Sequence, residues 1–305
     1  MMNILGKRYF YFGFSLLIIL AGTILLIVNG GLPLSIDFTG GSLIEVSFSG
    51  SHPANADIVK LYTDLGLRDV SVQETDSGSY NIRSPFLDET VRQQVTSAMT
   101  TAFGEVMIIR ADSVGPTIGK QVTQRAALAV AAAALAVVIY ITIVFRGLQH
   151  AFRYGVIAVI AMVHDVLIVL SIAMIGAFIA DWQMDSLFLT ALLTVIGFSV
   201  QDKIVVFDRI RENSHILRKL DFETLANHSI VQTLQRSINT QLMTVEFMLL
   251  ALALFGGITL REFAVILLVG LLSGTYSSIF IAAPILVVWE NEEWKTWFKR
   301  KEAVA

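Results

Sequence analysis

Apolar positions along the chain gather into six long runs, separated by polar stretches of very unequal length. The runs cover residues 9–28, 126–145, 155–180, 187–207, 242–258 and 263–289. A helix needs roughly 20 residues to cross the hydrocarbon core of a bilayer, so each run reads as a membrane span. The fifth is short, and its helix is expected to begin earlier, among polar residues near Arg236. The first is longer than the apolar region of a signal peptide, and no small-x-small cleavage site follows it, so it reads as a retained span.

Between spans one and two the pattern changes. Residues 34–48 alternate β-branched, aromatic and polar side chains, as in Ser42-Leu43-Ile44-Glu45-Val46-Ser47-Phe48, and predict a strand. Residues 55–65 place Ile58, Leu61, Tyr62 and Leu65 on one helical stripe. Strands follow at 69–74 and 79–84, joined by a turn at Asp76-Ser77-Gly78. Asp88 then caps a helix over 89–103, and 105–111 is a last strand. Strand, helix, strand, strand, helix, strand is the order of a ferredoxin-like split βαβ unit. The glycine-containing run Val114-Gly115-Pro116-Thr117-Ile118-Gly119-Lys120 superficially suggests a phosphate loop. Its glycines are one residue too close, and Gln121 stands where a magnesium-binding Ser or Thr belongs. Backbone turns leading into span two are the expectation instead.

Composition agrees with the spans. Of 305 residues 55% are apolar and only 15% charged, against about 45–50% apolar for ordinary soluble domains. The net charge of −3 gives no footing for nucleic acid, and the absence of cysteine excludes disulfides, thiol chemistry and cysteine-bound metal. Lys7 and Arg8, Arg146 and Arg153, Arg209 to Arg236, and Lys295 to Lys301 all fall on one side if there are six spans. The opposite short loops hold Asp181 and Asp185, and Arg261 with Glu262. Both termini are therefore expected in the cytoplasm. The domain boundaries that follow are 1–29 for the N-terminus and first span, 30–125 for an extracytoplasmic domain, 126–290 for spans two to six, and 291–305 for a cytoplasmic tail.

Ionisable groups inside such spans cost about 2.5–3.5 kcal/mol each even on the lenient insertion scale, so they mark interiors or water-filled paths. Span three carries His164 and Asp165 near its middle, and span four carries Gln201, Asp202 and Lys203 before the cluster Asp208, Arg209, Arg211 and Glu212. Gln232, Arg236, Thr240 and Thr244 recur every four residues and form one polar stripe, with Glu246 on a neighbouring face. Plainer roles compete with functional ones. His164 and Asp165 would serve as a structural hydrogen bond to a neighbouring helix, Lys203 would snorkel to the headgroups, and Arg209 and Arg211 would set topology. Glu246 would pair with Lys203 or face a partner. Asp202 resists such an account, because a short carboxylate cannot reach far. Burial and a nearby cation act on a carboxylate's proton affinity in opposite senses, so Asp202 is suited to bind and release a proton. Gly270 and Gly274, followed by Ser277 and Ser278, are read as helix packing, as is the alanine-rich second span.

Seven ordered motifs add a resemblance that covers nearly the whole chain. They are Ile36-Asp37-Phe38-Thr39-Gly40-Gly41, Val114-Gly115-Pro116, His164-Asp165-Val166, Ile196-Gly197-Phe198-Ser199, residues 204–213, Gln232-Thr233-Leu234-Gln235-Arg236, and Gly274-Thr275-Tyr276-Ser277-Ser278-Ile279-Phe280. In them the chain resembles the SecF branch of the SecD/SecF family, in the RND superfamily. The resemblance implies a component of the bacterial inner membrane that works with a SecD-like subunit and a SecYEG-type channel. It would use the ion-motive force to draw a translocating preprotein outward. It further implies ion coupling at Asp202 and Arg236, the arginine facing a carboxylate of the SecD half. His164, Asp165, Gln201 and Lys203 form a second tier. The family usually reads Asn-Asp-Thr where Gln201, Asp202 and Lys203 stand, and a lysine there bears on which ion is used.

The expected molecule is thus a multi-spanning α-helical membrane protein with six transmembrane helices and one extracytoplasmic ferredoxin-like α+β domain between the first two. It is expected to be a transport component rather than an enzyme, with no cofactor beyond a coupling proton or sodium ion. The alternative is an RND-type exporter of lipid or small molecules, with an apolar cavity in the external domain or at the bundle seam. An intramembrane hydrolase finds no Ser–His or paired-carboxylate arrangement, and no His-Glu-x-x-His motif, to support it.

Overall fold

The computed structural model describes residues 2–49, 52–75, 78–146, 151–241 and 247–297. In chain order its elements are α1 (Arg8–Val28), α2 (Ile36–Thr39), β1 (Gly41–Phe48), α3 (Asn55–Asp64), β2 (Ser71–Glu74), β3 (Tyr80–Ser84), α4 (Glu89–Phe103) and β4 (Val106–Val114). There follow α5 (Pro116–Val144), α6 (Ala151–Ala180), α7 (Ser186–Ile216), α8 (Phe222–Gln241), α9 (Phe247–Phe255), α10 (Ile258–Ser277) and α11 (Ala283–Glu290). The chain divides into two compact units, Leu34–Leu128, and Met1–Pro33 with Ala129–Ala305.

In the smaller unit the four strands form one sheet in the order β2-β3-β1-β4, every neighbouring pair antiparallel. Alternation in β1 turns Ile44, Val46 and Phe48 inward, against Ile58 and Tyr62 of α3, Ile82 of β3, and Val95 and Met99 of α4. Asp88 accepts from Val91 N at 2.8 Å and caps α4, as its sequence predicts. The strand expected over 34–48 is divided. Ser35 Oγ accepts from Asp37 N at 3.2 Å and caps a single helical turn, α2, and β1 starts only at Gly41. Between them Gly40 (φ 75) and Gly41 (φ 129) adopt backbone that L side chains avoid.

The turns expected over 114–120 are likewise corrected. Pro116 opens α5, where its missing N–H costs nothing, and the helix begins ten residues before the apolar run does. Gly119 lies one turn in, against Gly40: a Cβ on Gly119 would sit 2.6 Å from Gly40 N, and one on Gly40 2.9 Å from Pro116 Cα. Thr123 Oγ1 donates to Phe38 O at 2.9 Å. The two glycine motifs, far apart in sequence, are two sides of one backbone contact.

In the larger unit and its continuation into α5, five helical stretches among the described residues are long and apolar enough to span a membrane. They are Leu5–Val28, Pro116–Val144, Phe152–Ala180, Ser186–Ile216 and Leu260–Glu290. They correspond to the first, second, third, fourth and sixth expected spans. Of the fifth, residues 242–246 lie outside the described residues, and its remainder is the short apolar helix α9. Helices α10 and α11 are joined without a break by a wider π turn, Ser278–Ala282. Large apolar side chains stand exposed on α1 (Phe10, Leu17, Ile24, Ile27) and α5 (Leu135, Ile139, Ile143). So much exposed hydrocarbon suits lipid or another membrane chain rather than water.

Small residues bring the inner helices together. A Cβ on Gly270 of α10 would lie 2.1 Å from Val195 Cγ2 of α7, and one on Gly22 of α1 would lie 2.3 Å from Ser171 Cβ of α6. Gly274 faces Ser199 with 3.4 Å between a built Cβ and Ser199 Cα. Helices α6, α7 and α10 consequently meet along one seam.

Candidate functional site

On that seam sit the most deeply buried charges among the described residues. Asp165 of α6 and Lys203 of α7 are both 0% exposed, and Lys203 Nζ lies 2.7 Å from Asp165 Oδ2. The lysine folds back along its own helix, donating to Ser199 O at 2.7 Å and Ser199 Oγ at 2.6 Å, four residues earlier. The expectation that Lys203 snorkels to the headgroups is therefore corrected: a carboxylate lies within reach inside the bundle, so the ammonium turns inward.

Three serine hydroxyls complete the ring around Asp165. Ser199 and Ser277 donate to Oδ2 at 2.6 and 2.8 Å, and Ser273 donates to Oδ1 at 2.8 Å. His164 Nδ1 lies 3.0 Å from the same Oδ1. Burying a charge is tolerable only when it is paired and its lone pairs are filled, and here both conditions hold. Ser273 and Ser277 are one turn apart on α10, so a single helix face delivers both hydroxyls.

The neighbouring groups make a second layer. Asp202, 7% exposed, accepts from Thr275 Oγ1 of α10 at 2.8 Å, and lies near enough to Lys203 to act on it electrostatically. The His164 ring stacks near Tyr276, with ring centroids 6.3 Å apart. Tyr276 in turn donates to Tyr11 O of α1 at 3.1 Å. His164 Nε2 is buried with no hydrogen-bond partner among the described residues. The site thus joins His164, Asp165, Asp202 and Lys203, and adds Ser199, Ser273, Thr275, Tyr276 and Ser277.

Two expected members lie apart. Gln201 is exposed and lines a groove with Ala136 and Tyr140 of α5 and Gly197 of α7. Arg236 is exposed on α8, with no side-chain bond to another described residue. Its stripe-mate Gln232 instead accepts from Arg209 Nε at 2.7 Å and from Asn213 Nδ2 at 3.0 Å, tying α8 to the end of α7. Arg209 and Arg211 also pair with Glu212 and Asp208 along α7. Thr244 and Glu246 lie outside the described residues. Among the described residues no cluster of His, Asp and Glu suits a metal ion.

The chain is similar to known proteins in sequence and in fold. A family model described as "Protein export membrane protein SecD/SecF, C-terminal" matches residues 94–292, and one for the SecD/SecF GG motif matches residues 25–51. The second includes Gly40 and Gly41 of the backbone contact above. The chain is 66% identical to the protein translocase subunit SecF of Anaerolinea thermophila over 302 residues, 98% of each chain. It is 42% identical to that of Thermobaculum terrenum over 318 aligned positions, covering 100% of this chain and 99% of the other. The crystal structure of SecDF from Thermus thermophilus, a translocon-associated membrane protein, is similar with a TM-score of 0.81 at 29% identity. That likeness covers 95% of this chain and 39% of the SecDF chain.

Proposed function

The chain belongs to the SecD/SecF family of protein-export membrane proteins, as a SecF-type accessory subunit of the Sec translocase, and we propose that it spends the ion-motive force on export. In this reading it works beside a SecD-like subunit in the bacterial inner membrane, next to a SecYEG-type channel, on a translocating preprotein. In this reading six helices span the membrane, α9 belonging to the fifth. Both termini are cytoplasmic, with the tail at 291–305. The sheet unit stands outside the membrane, within the boundaries 30–125. Its strand order and two crossover helices support reading it as a ferredoxin-like unit. The span bundle covers 126–290 and the first span lies within 1–29.

The observation that carries the proposal is the burial of Asp165, Lys203 and Asp202 on the seam of three apolar spans. Charges held at that depth mark an ion path rather than a packing surface. An ion entering from outside changes the charge of this cluster, and with it the attraction among Asp202, Arg236 and a carboxylate of the partner half. Arg236 is exposed on α8, which supports its meeting a group of the partner half. His164 and Gln201 flank the path. One elementary charge crossing 100 mV supplies about 2.3 kcal/mol, enough to bias a two-state element about fifty-fold. The bundle halves rock, and the external unit draws the emerging chain outward or stops it slipping back. The test is export in vivo by Asp202→Asn and Arg236→Ala at normal expression. Both are expected to lose the stimulated component of export, and normal export by both would refute the assignment.

A further inference from the structure

Lys203 sits where a bound cation would sit. Its ammonium is held by Asp165 Oδ2, Ser199 O and Ser199 Oγ at 2.6–2.7 Å. Every partner is oxygen, drawn from a carboxylate, a backbone carbonyl and a hydroxyl. That is the donor set hard metal cations take. Ser273 and Ser277 bring two more hydroxyls to the same carboxylate. A hydroxyl can donate to a carboxylate while its lone pairs face a cation, as Ser199 Oγ does here, giving a hydrogen bond to Asp165 and accepting one from Lys203. The ammonium position is thus lined by a carboxylate oxygen, a carbonyl and a hydroxyl, and two further buried hydroxyls hold the carboxylate in place.

We infer that Lys203 is a tethered cation that fills a monovalent-cation site and keeps sodium out of it. The site itself rests on the geometry above, and only the export measurement below rests on the proposed function. A lysine ammonium is a compact point charge on a flexible stem, and its attachment four residues from Ser199 gives it a local concentration no free ion can match. The titratable groups around the cage are His164 from α6, Asp202 from α7 and Tyr276 from α10, while Tyr11 of α1 contributes its carbonyl to Tyr276.

The experiment uses the full chain with its SecD-type partner, purified in detergent, and compares thermal unfolding in sodium chloride and choline chloride at equal ionic strength. Wild type is expected to show no sodium-specific shift. Lys203→Thr opens the cage and is expected to gain a sodium-specific rise in Tm of a few degrees, which Lys203→Thr combined with Asp165→Asn loses. In vesicles, a sodium gradient imposed at constant proton gradient leaves wild-type export unchanged. Sodium-specific stabilisation of wild type, export driven by the sodium gradient, or a folded Lys203→Thr indifferent to sodium would each overturn the inference. Should Lys203→Thr fail to fold, the wild-type gradient measurement decides alone. Failure of ion coupling altogether has a different signature: wild-type export ignores both gradients while the sodium shift in Lys203→Thr stands.

Discussion

Asp165 is the residue on which the charged cluster depends, since among the described residues it alone pairs with the fully buried Lys203 at hydrogen-bond distance. Removing one partner of a buried pair typically costs about 3–5 kcal/mol, whereas replacing both by apolar groups is often neutral. Asp165→Asn is therefore expected to destabilise the chain by about that amount, and Asp165→Leu with Lys203→Met to recover most of it, as read by denaturant unfolding in micelles. Equal destabilisation by the single and double variants would contradict the pairing. A second residue-scale prediction concerns Tyr62 of α3, whose buried hydroxyl lacks a hydrogen-bond partner among the described residues. Burial pushes its phenol above the ordinary value of 10.0. The fold thus keeps the proton after the unfolded chain has lost it, so this stability is full below pH 10 and falls as pH rises beyond it. Tyr62→Phe is expected to blunt that alkaline loss and, by removing an unsatisfied hydroxyl, to gain about 1 kcal/mol. Pulse proteolysis of the sheet unit in the full-length chain, at roughly pH 9 and pH 11, reads both effects. Tyr80, whose phenol is also raised by burial and then by Glu74, leaves a residual slope in either protein.

Among the elements, the contact between α5 and the glycine turn before β1 admits a sharp test. Gly119→Ala would put a methyl 2.6 Å from Gly40 N, with backbone rather than a pliable side chain in its way. Overpacking of this kind costs about 1–3 kcal/mol. Gly40→Ala is expected to cost more than Gly119→Ala, because it adds a strained φ of 75 to a 2.9 Å clash with Pro116 Cα. Protease resistance of the sheet unit measures both, and Gly115→Ala, with open space around it, is the control. Much of the element order was legible because each element repeats a simple period: alternation in Ser42 to Phe48, four-residue spacing in Val91, Val95 and Met99, and long apolar runs for the spans. What escaped was non-periodic. Ser35 diverts Ile36–Thr39 into a helical turn through one capping bond. Likewise Pro116 starts α5 inside a run that reads as polar loop. At the site, Asp202, His164 and Asp165 stood out as polar groups in apolar helices. The serines did not, since hydroxyls are unremarkable in membrane helices. The spacings Ser199 to Lys203 and Ser273 to Ser277, both four residues, are the signal that would have found them. The inward turn of Lys203 depends on which helix lies opposite, and no local pattern carries that.

For the molecule as a whole, the proposed arrangement places the sheet unit outside and α8 inside. The chain has no cysteine, so a single introduced thiol reports its own side of the membrane. Ser97→Cys, exposed on α4, is expected to react with a membrane-impermeant maleimide on intact spheroplasts. Ser214→Cys, exposed near the end of α7, is expected to react only after permeabilisation. Labelling of both from outside would contradict the orientation. The proposed six spans with one external unit also fit two surface features of the described residues. Exposed hydrocarbon on α1 and α5, and an exposed Arg236 with no side-chain bond to another described residue, suit a half-assembly that meets a similar half, consistent with a match covering 39% of the SecDF chain. The central claim is that charge movement through the buried cluster drives export. It is tested most directly by imposing an ion-motive force on inverted inner-membrane vesicles that carry the chain and its SecD-type partner, and measuring the rate of preprotein uptake. Wild type is expected to accelerate when the force is applied, and Asp202→Asn, at equal abundance, to show the unaccelerated rate. Equal acceleration in the two would contradict the account.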